Sequence, residues 1–125
     1  MNIQTALDRA DEMKPNMMSR ELKIAALSEL DGLIHREIIM KHVHTPEQAI
    51  FTGYDTDTDP GTALLVPWPY DEIYGYWLMA RIDDQNMEYD KYENDRQKFN
   101  SAYDMFHDWW RRNHMPLSRN RQLRI

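Results

Sequence analysis

Three aspartates alternate with threonines in the stretch DTDTDPG, and alternating carboxylates are how many calcium-binding loops begin. Asp55, Asp57 and Asp59 supply this D-x-D-x-D spacing. A calcium loop of this kind also needs glycine at its sixth position, for a sharp turn, and a bidentate glutamate at its twelfth. Those two positions hold Pro60 and Val66. The sequence therefore favours an acidic turn over a calcium site, and we expect no metal and no other cofactor.

Four histidines could offer imidazole ligands to zinc. His42 and His44 lie two residues apart, while His107 and His114 fall in the last helix-like stretch. A zinc site needs three or four protein ligands, which other side chains must hold in place, and the chain has no cysteine to add to these histidines. The common phosphate-loop, nucleophile-elbow and zinc-protease motifs are also missing. We predict that the chain is not an enzyme, and in particular not a small metal-dependent hydrolase.

The charge of the chain is divided unevenly between its body and its C-terminus. Residues 1–110 carry 21 acidic and 10 basic side chains, a formal charge of −11, whereas residues 111–125 carry five arginines and no acid. A basic segment on an acidic body is typical of an interaction element. One alternative is a small helical nucleic-acid-binding regulator that uses this tail. Such domains usually present a basic face, which an acidic body does not favour.

Composition indicates a single globular domain. The chain has 125 residues, of which 42% are hydrophobic and 29% charged, and this size is sufficient for one buried core. No apolar run approaches the roughly 20 residues that a membrane span needs. We therefore expect no membrane partner, and the lack of cysteine suits a reducing cytoplasm.

Two amphipathic helices open the chain. The first is predicted to begin after an Asn2 cap and to end before Pro15, and the second to begin after Ser19 and to run to about Lys41. Apolar residues recur at helical spacing in both. The predicted core residues are Ile3, Ala6, Leu7, Ala10 and Met13 in the first helix, and Ile24, Leu27, Leu30, Ile34 and Ile38 in the second, with Leu22, Ala26 and Leu33 beside them.

The connecting segment, residues 42–67, has no helical period. Two runs that favour β-structure, residues 49–54 and 62–66, flank the acidic turn, and this pattern predicts a β-hairpin-like arm. A lone two-stranded hairpin is marginal in water, so we expect the arm to pack on an adjacent subunit. The residues predicted to make this contact are Ile50, Phe51, Tyr54, Leu64, Leu65 and Val66.

Twelve of the fourteen aromatic residues fall between Trp68 and Trp110, where two further helices are predicted. The third is predicted to begin at Pro69 and is apolar nearly all round, which suggests burial on more than one face and a partner surface. The fourth should span about 25 residues. Its apolar stripe consists of Tyr92, Phe99, Tyr103, Phe106 and Trp110. Of these, Phe99, Tyr103 and Phe106 are expected to be largely buried within one subunit.

A pair of acidic residues conflicts with the predicted end of the third helix. Asp83 and Asp84 oppose the helix dipole there. Either this helix continues into the next one, or an arginine from elsewhere pairs with the carboxylates. The predicted fold is thus all-α, with about four helices, two long ones in the C-terminal half, and a hairpin-like arm between helices 2 and 3.

Several blocks of the sequence together resemble the small head–tail connector (adaptor, or head-completion) proteins of long-tailed bacteriophages. The most specific pieces are LLVP-x-PYDE-x-Y and FN-x-AY-x-x-F, and the order and spacing of the blocks match up to Pro116. The blocks are DRADEMKPNMMS, KIAALSELDGLIHREII, FTGYDTDTDPGTALLVPWPYDEIYGYWLMARID and YENDRQKFNSAYDMFHDWWRRNHMP. The family commonly has Asn-Gly after the third helix, where this chain has Asn86-Met87.

The resemblance implies a structural virion protein of the phage neck, made in the cytoplasm of the bacterial host. Such adaptors form a ring, here expected to hold twelve copies. The ring docks on the portal, extends the channel for passing double-stranded DNA, and offers a surface to the next neck or tail-completion protein. Residues 1–116 would be the adaptor domain and residues 117–125 a basic tail. Portal contacts are expected from Arg111, Arg112, Leu117, Arg119, Arg121, Leu123, Arg124 and Ile125.

Overall fold

A computed structural model describes residues 1–117, and their fold is mainly helical, as the sequence predicts. A single 3₁₀ turn, Ile39–Lys41, follows the second helix. Of the two C-terminal helices, which were both predicted to be long, only the fourth is. The third helix has 13 residues and is shorter than the second, which has 18. The helices are α1 (Ile3–Met13), α2 (Arg20–Glu37), α3 (Ile73–Gln85) and α4 (Tyr89–Asn113).

The predicted starts of α1 and α2 are confirmed at the level of single hydrogen bonds. The Asn2 side chain accepts from the backbone N–H of Thr5, and the Ser19 hydroxyl accepts from the N–H of Leu22. Each bond satisfies one of the backbone donors that a helix leaves without a partner at its N-terminus. These caps fix where the first two helices begin.

α3 is the central helix, and it packs against α1, α2 and α4. Tyr74, Leu78 and Ile82 are fully buried by these neighbours. The prediction that this helix lies buried on several faces is confirmed, and the burial comes from its own chain. The helix begins at Ile73 and not at Pro69, which lies in the preceding turn after a cis Trp68–Pro69 peptide bond.

The connecting segment does not form a hairpin, so that part of the prediction is wrong. Within residues 1–117 the only strand-like pairings are two isolated bridges, Asn2 with Ala63 and His42 with Pro116. The N–H of Ile3 donates to the carbonyl of Thr62. The backbone groups that a hairpin would pair within the segment are thus directed to the start of α1.

α3 and α4 are separate helices joined by a tight turn. Met87 adopts the left-handed conformation, with φ of 60°. The N–H of Glu88 donates to the carbonyl of Asp83 and closes the turn. A non-glycine residue at this φ costs roughly 1–2 kcal/mol, so the turn forms in spite of its sequence.

The aromatic stripe of α4 is buried at its C-terminal end only. Phe106 and Trp110 are 0% and 5% exposed. Phe99 and Tyr103 are half-buried and pack against the core from its edge. Phe99 lies beside the half-buried ring of Trp77 on α3, with centroids 4.9 Å apart, so it meets the core only at its edge. No helix in the described part of the chain is long and apolar enough to cross a membrane.

Candidate assembly surfaces

A buried aspartate on α2 holds the connecting segment against the helices. The carboxylate of Asp31, which is fully buried, accepts hydrogen bonds from the hydroxyls of Tyr54 and Tyr74, both at 2.6 Å. It also accepts from the N–H of Leu65 at 3.1 Å, while the N–H of Val66 donates to the Tyr74 hydroxyl. Burial raises the pKa of Asp31 in spite of these bonds, and raises the pKa of both tyrosines as well. Two distant parts of the segment therefore converge on one side chain.

The first half of the predicted arm packs on α2 through aromatic contacts. Phe51 stacks on His35, with ring centroids 5.6 Å apart, and meets the ring of Tyr54 edge-on. The N–H of Tyr54 donates to the hydroxyl of Ser28. Ile50 is different, because it is 73% exposed. Of these residues, only Ile50 has an apolar side chain that the rest of the described chain leaves exposed.

The second half of the predicted arm belongs to the core of its own chain. Leu64 is 6% exposed and Val66 is fully buried, while Leu65 is partly buried against the same core. The expectation that these side chains need an adjacent subunit therefore loses its physical basis. Contact with a neighbouring copy stays a prediction for Ile50.

The acidic turn uses its carboxylates to cap backbone groups. Asp55 accepts from the N–H groups of Asp57 and Thr58, and Asp59 accepts from the N–H of Gly61. These are the bonds by which aspartate side chains stabilise tight turns. Among residues 1–117, no group of three His, Asp or Glu side chains is placed to hold a metal ion.

The four histidines considered as zinc ligands all have structural contacts. His42 is buried and donates from Nδ1 to the carbonyl of Ile38, and His44 bonds the carbonyl of His42. His42 and His107 meet edge to face, with centroids 6.5 Å apart. Burial lowers the pKa of His107. These contacts place three of the histidines near the C-terminal end of α4, where the tail begins.

The root of the tail is fixed to the domain. His114 stacks on Trp110 with centroids 3.8 Å apart, just after α4 ends. The N–H of Val43 then donates to the carbonyl of Met115 at 2.7 Å, next to the bridge between His42 and Pro116. The tail thus departs from a defined point beside the connecting segment.

Only some of the predicted portal-binding residues lie within the described part of the chain. Arg111 and Arg112 are exposed on the last turn of α4, where Arg111 pairs with Asp108. Leu117 is half-buried. The remaining predicted contacts lie outside the described residues: Arg119, Arg121, Leu123, Arg124 and Ile125.

A buried charge cluster was not found from the sequence. Lys14 binds Asp83 on α3 and Asp95 on α4, the latter at 2.8 Å, and so links the end of α1 to both helices. Burial alone would lower the pKa of Lys14, but its hydrogen bonds to the two carboxylates outweigh burial and raise it. Burial and the neighbouring Asp95 raise the pKa of Asp83. Because Asp83 opposes the dipole at the end of α3, one of the two predictions was a basic partner from elsewhere in the chain. The partner is Lys14, at the end of α1, and not an arginine.

Compared with known proteins, the chain matches no family model, no curated protein and no solved structure.

Proposed function

We propose that this chain is a structural virion protein of a phage neck, located at the head–tail interface. It forms a ring, docks on the portal, extends the DNA channel and joins the head to the tail. Its partners are further copies of itself, the portal, the next neck or tail-completion protein, and double-stranded DNA that passes without sequence-specific contact. The proposal assigns it no catalytic step.

The observation that carries this proposal is the role of the residues behind the resemblance. In the motif LLVP-x-PYDE-x-Y, Leu64, Val66, Asp71 and Tyr74 are all buried. Val66 and Tyr74 bond one another, and Asp71 pairs with the α-amino group of Met1 at 3.3 Å. The motif therefore specifies how the connecting segment closes over the helices. Residues that determine a fold are the ones a related adaptor would share.

The root of the tail supports portal docking. The contacts of His114 and Met115 hold the end of the described chain against the domain, so the predicted tail would begin at the same place on every subunit. In a ring, such repeated contacts act together and bind far more tightly than one copy alone. The acidic body supports the channel role, since a charge of −11 on residues 1–110 disfavours the phosphate contacts that make DNA binding tight.

Capture of the protein by DNA-free portal tests the proposal. Truncation after Pro116 should abolish capture, because the tail is the proposed portal contact. The matched control is a full-length chain in which residues 117–125 are reordered with the same composition. If binding requires only charge, this control will be captured, and if it requires specific contacts it will not. Capture that survives truncation would contradict the proposed role of the tail.

A tail that binds DNA is the alternative, because its arginines would suit phosphates equally well. In that case the full-length protein would retain duplex DNA at moderate salt, the truncated protein would not, and portal would capture neither. This result would favour the regulatory protein over the connector.

A further inference from the structure

One face of α3 is left open between α1 and α4. Gly75, Tyr76 and Met79 lie along it, and two adjoining cavities of about 340 and 220 Å³ share Tyr76 and Glu72. The larger cavity runs beside α4 from Asn94 to Met105, a length of about 16 Å at 1.5 Å per residue. An elongated, open groove of this size accommodates a helix better than it does a small molecule.

Four methionines are among the residues that line this groove, three in the smaller cavity and one in the larger. We call it the methionine groove, and define it by Met1, Met13, Met79 and Met105 together with Tyr76. Met13 and Met105 are 66% and 61% exposed. Flexible, polarisable methionines are characteristic of surfaces that bind the apolar face of a helix.

Two basic residues flank the methionine groove. Arg9 on α1 and Lys98 on α4 each line one of its two cavities. Within residues 1–117 neither forms an ion pair, whereas most other basic side chains there do. A helix that carries a carboxylate beside an apolar stripe would complement both the methionines that line the groove and the two basic residues that flank it.

α2 presents such a stripe to solvent. Leu22 and Leu33 are 53% and 45% exposed, and exposed Ala25 lies between them on the same face. Eleven residues separate the two leucines, which again corresponds to about 16 Å of helix. Exposed Glu21 flanks the stripe with negative charge, whereas the charge of Glu29 is paired with Arg81 of the same chain.

The stripe and the groove lie on roughly opposite sides of α3. Trp77 donates to the carbonyl of Ala26, and Arg81 pairs with Glu29, so α2 packs on the side of α3 that bears Trp77 and Arg81. Tyr76 and Met79 point away from that side, because successive helical residues are rotated by about 100°. One copy therefore cannot bring its own stripe to its own groove.

We propose that the exposed stripe of α2 in one copy binds the methionine groove of the next copy. The contact is heterologous, because two different surfaces meet, and such contacts generate rings when the rotation closes. This inference deepens the proposed ring by naming the surfaces between subunits, and it rests on that proposed function. The carboxylate of Glu21, which could reach one of the two basic residues of the groove, and the matched length favour a second copy as the occupant.

Chemical cross-linking between introduced cysteines tests the contact, and the cysteine-free sequence provides a clean background. A chain carrying both Ala25→Cys and Ser101→Cys places one thiol beside the stripe and the other beside the groove. With a flexible bis-maleimide it should give a ladder of dimers, trimers and larger species. Each single-cysteine variant should remain monomeric. Dimers from a single-cysteine variant, at the efficiency of the double variant, would show a symmetric contact and overturn the proposal.

Leu33→Asp and Met105→Asp are the disrupting variants, and both positions are exposed enough for the fold to survive. Circular dichroism verifies folding. Added to the double-cysteine chain, either change should reduce the ladder at least tenfold. An equimolar mixture of the two variants should give dimers alone, since one intact stripe and one intact groove remain. No ladder from the double-cysteine chain, either free or bound to portal, would overturn the proposal. Portal capture is scored separately, so loss of capture with an intact ladder would count against the connector function alone.

Discussion

At the scale of single residues, the fold depends on a few buried polar groups. Asp31 accepts three hydrogen bonds from groups that are distant in sequence. A buried donor or acceptor that loses its partner costs about 1–3 kcal/mol. The residues that bond Asp31 should therefore be among the least replaceable in the chain.

Tyr74→Phe is expected to lower the free energy of unfolding by about 1–3 kcal/mol. The change leaves both the Asp31 carboxylate and the N–H of Val66 short of one partner. Urea denaturation followed by circular dichroism measures the effect. Tyr76→Phe is the control, because Tyr76 is half-buried and its hydroxyl forms no hydrogen bond within residues 1–117. Equal effects of the two substitutions would contradict the role of Asp31.

Met87→Gly should stabilise the protein by about 0.5–1 kcal/mol. Glycine removes the cost of the left-handed conformation, and the gain is partly offset by the greater freedom of the unfolded chain. The same denaturation experiment detects it. Met17→Gly is the control, since Met17 is 96% exposed and its φ is not positive. A loss of stability on Met87→Gly would show that its side chain contributes more than the backbone strain costs.

At the scale of elements, the sequence predicts where the helices lie better than it predicts which segments pack against them. The caps at Asn2 and Ser19 are local signals, which is why the starts of α1 and α2 are correct. The fates of Leu64 and Val66 depend on contacts with helices distant in sequence, so a local pattern of β-prone residues could not predict them. The Lys14 cluster is unpredictable for the same reason, because its members lie 69 and 81 residues apart.

The two phenylalanines of α4 should differ in their contribution to stability. Phe106→Ala is expected to cost about 3–5 kcal/mol, because Phe106 is fully buried and a cavity would remain. Phe99→Ala should cost clearly less, since a half-buried ring leaves a space that water can fill. Thermal denaturation of the two variants side by side tests the order. The reverse order would mean that the N-terminal half of α4 is covered by more than its own chain.

Lys14→Met should destabilise the protein by about 2–4 kcal/mol at neutral pH, somewhat less than for a fully buried pair because the Lys14 side chain is 18% exposed. Two buried carboxylates would then lack their counter-charge. Lys41→Met is the control, because that pair is exposed and such pairs are worth about 0.5 kcal/mol or less.

The pH dependence of stability checks the same cluster. The pKa of Lys14 is raised in the folded state, so its contribution is present below the unfolded value of about 10.5 and is lost as pH rises through the folded value. Stability should therefore decline above about pH 10.5 in the wild type, and this decline should be smaller in Lys14→Met. Parallel pH profiles for the two proteins would show that Lys14 keeps the same pKa on unfolding.

At the scale of the whole molecule, the connecting segment is a structural part of the domain. Its carbonyls at Pro60 and Thr62 accept from the first turn of α1, and Tyr54 reaches α2. The segment therefore ties the first two helices together. Of the whole arrangement, the sequence predicts the helical class, but not that this segment packs into the core of its own chain through Leu64 and Val66.

Deletion of Thr52–Thr62 should destabilise the domain and not merely weaken its assembly. The deletion removes Tyr54 from Asp31 and the backbone partners of α1. A lower and broader thermal transition by circular dichroism is the expected result. Asp57→Ser is the control, because the Asp57 side chain is exposed at the tip of the turn. An unchanged transition after the deletion would show that the fold does not need the segment, which would then be a free arm.

The contacts that hold His114 and Met115 against the domain, which we call the clip, have a mechanical consequence. Pulling on the chain beyond Leu117 would load the bond between Val43 and Met115 first, together with the stack of His114 on Trp110. These contacts are few, whereas α4 behind them is a 25-residue helix. Under tension the clip would open before the helix unwinds and release about three residues, or roughly 10 Å of slack. A joint of this kind would lengthen slightly under load and spring back when the load is removed.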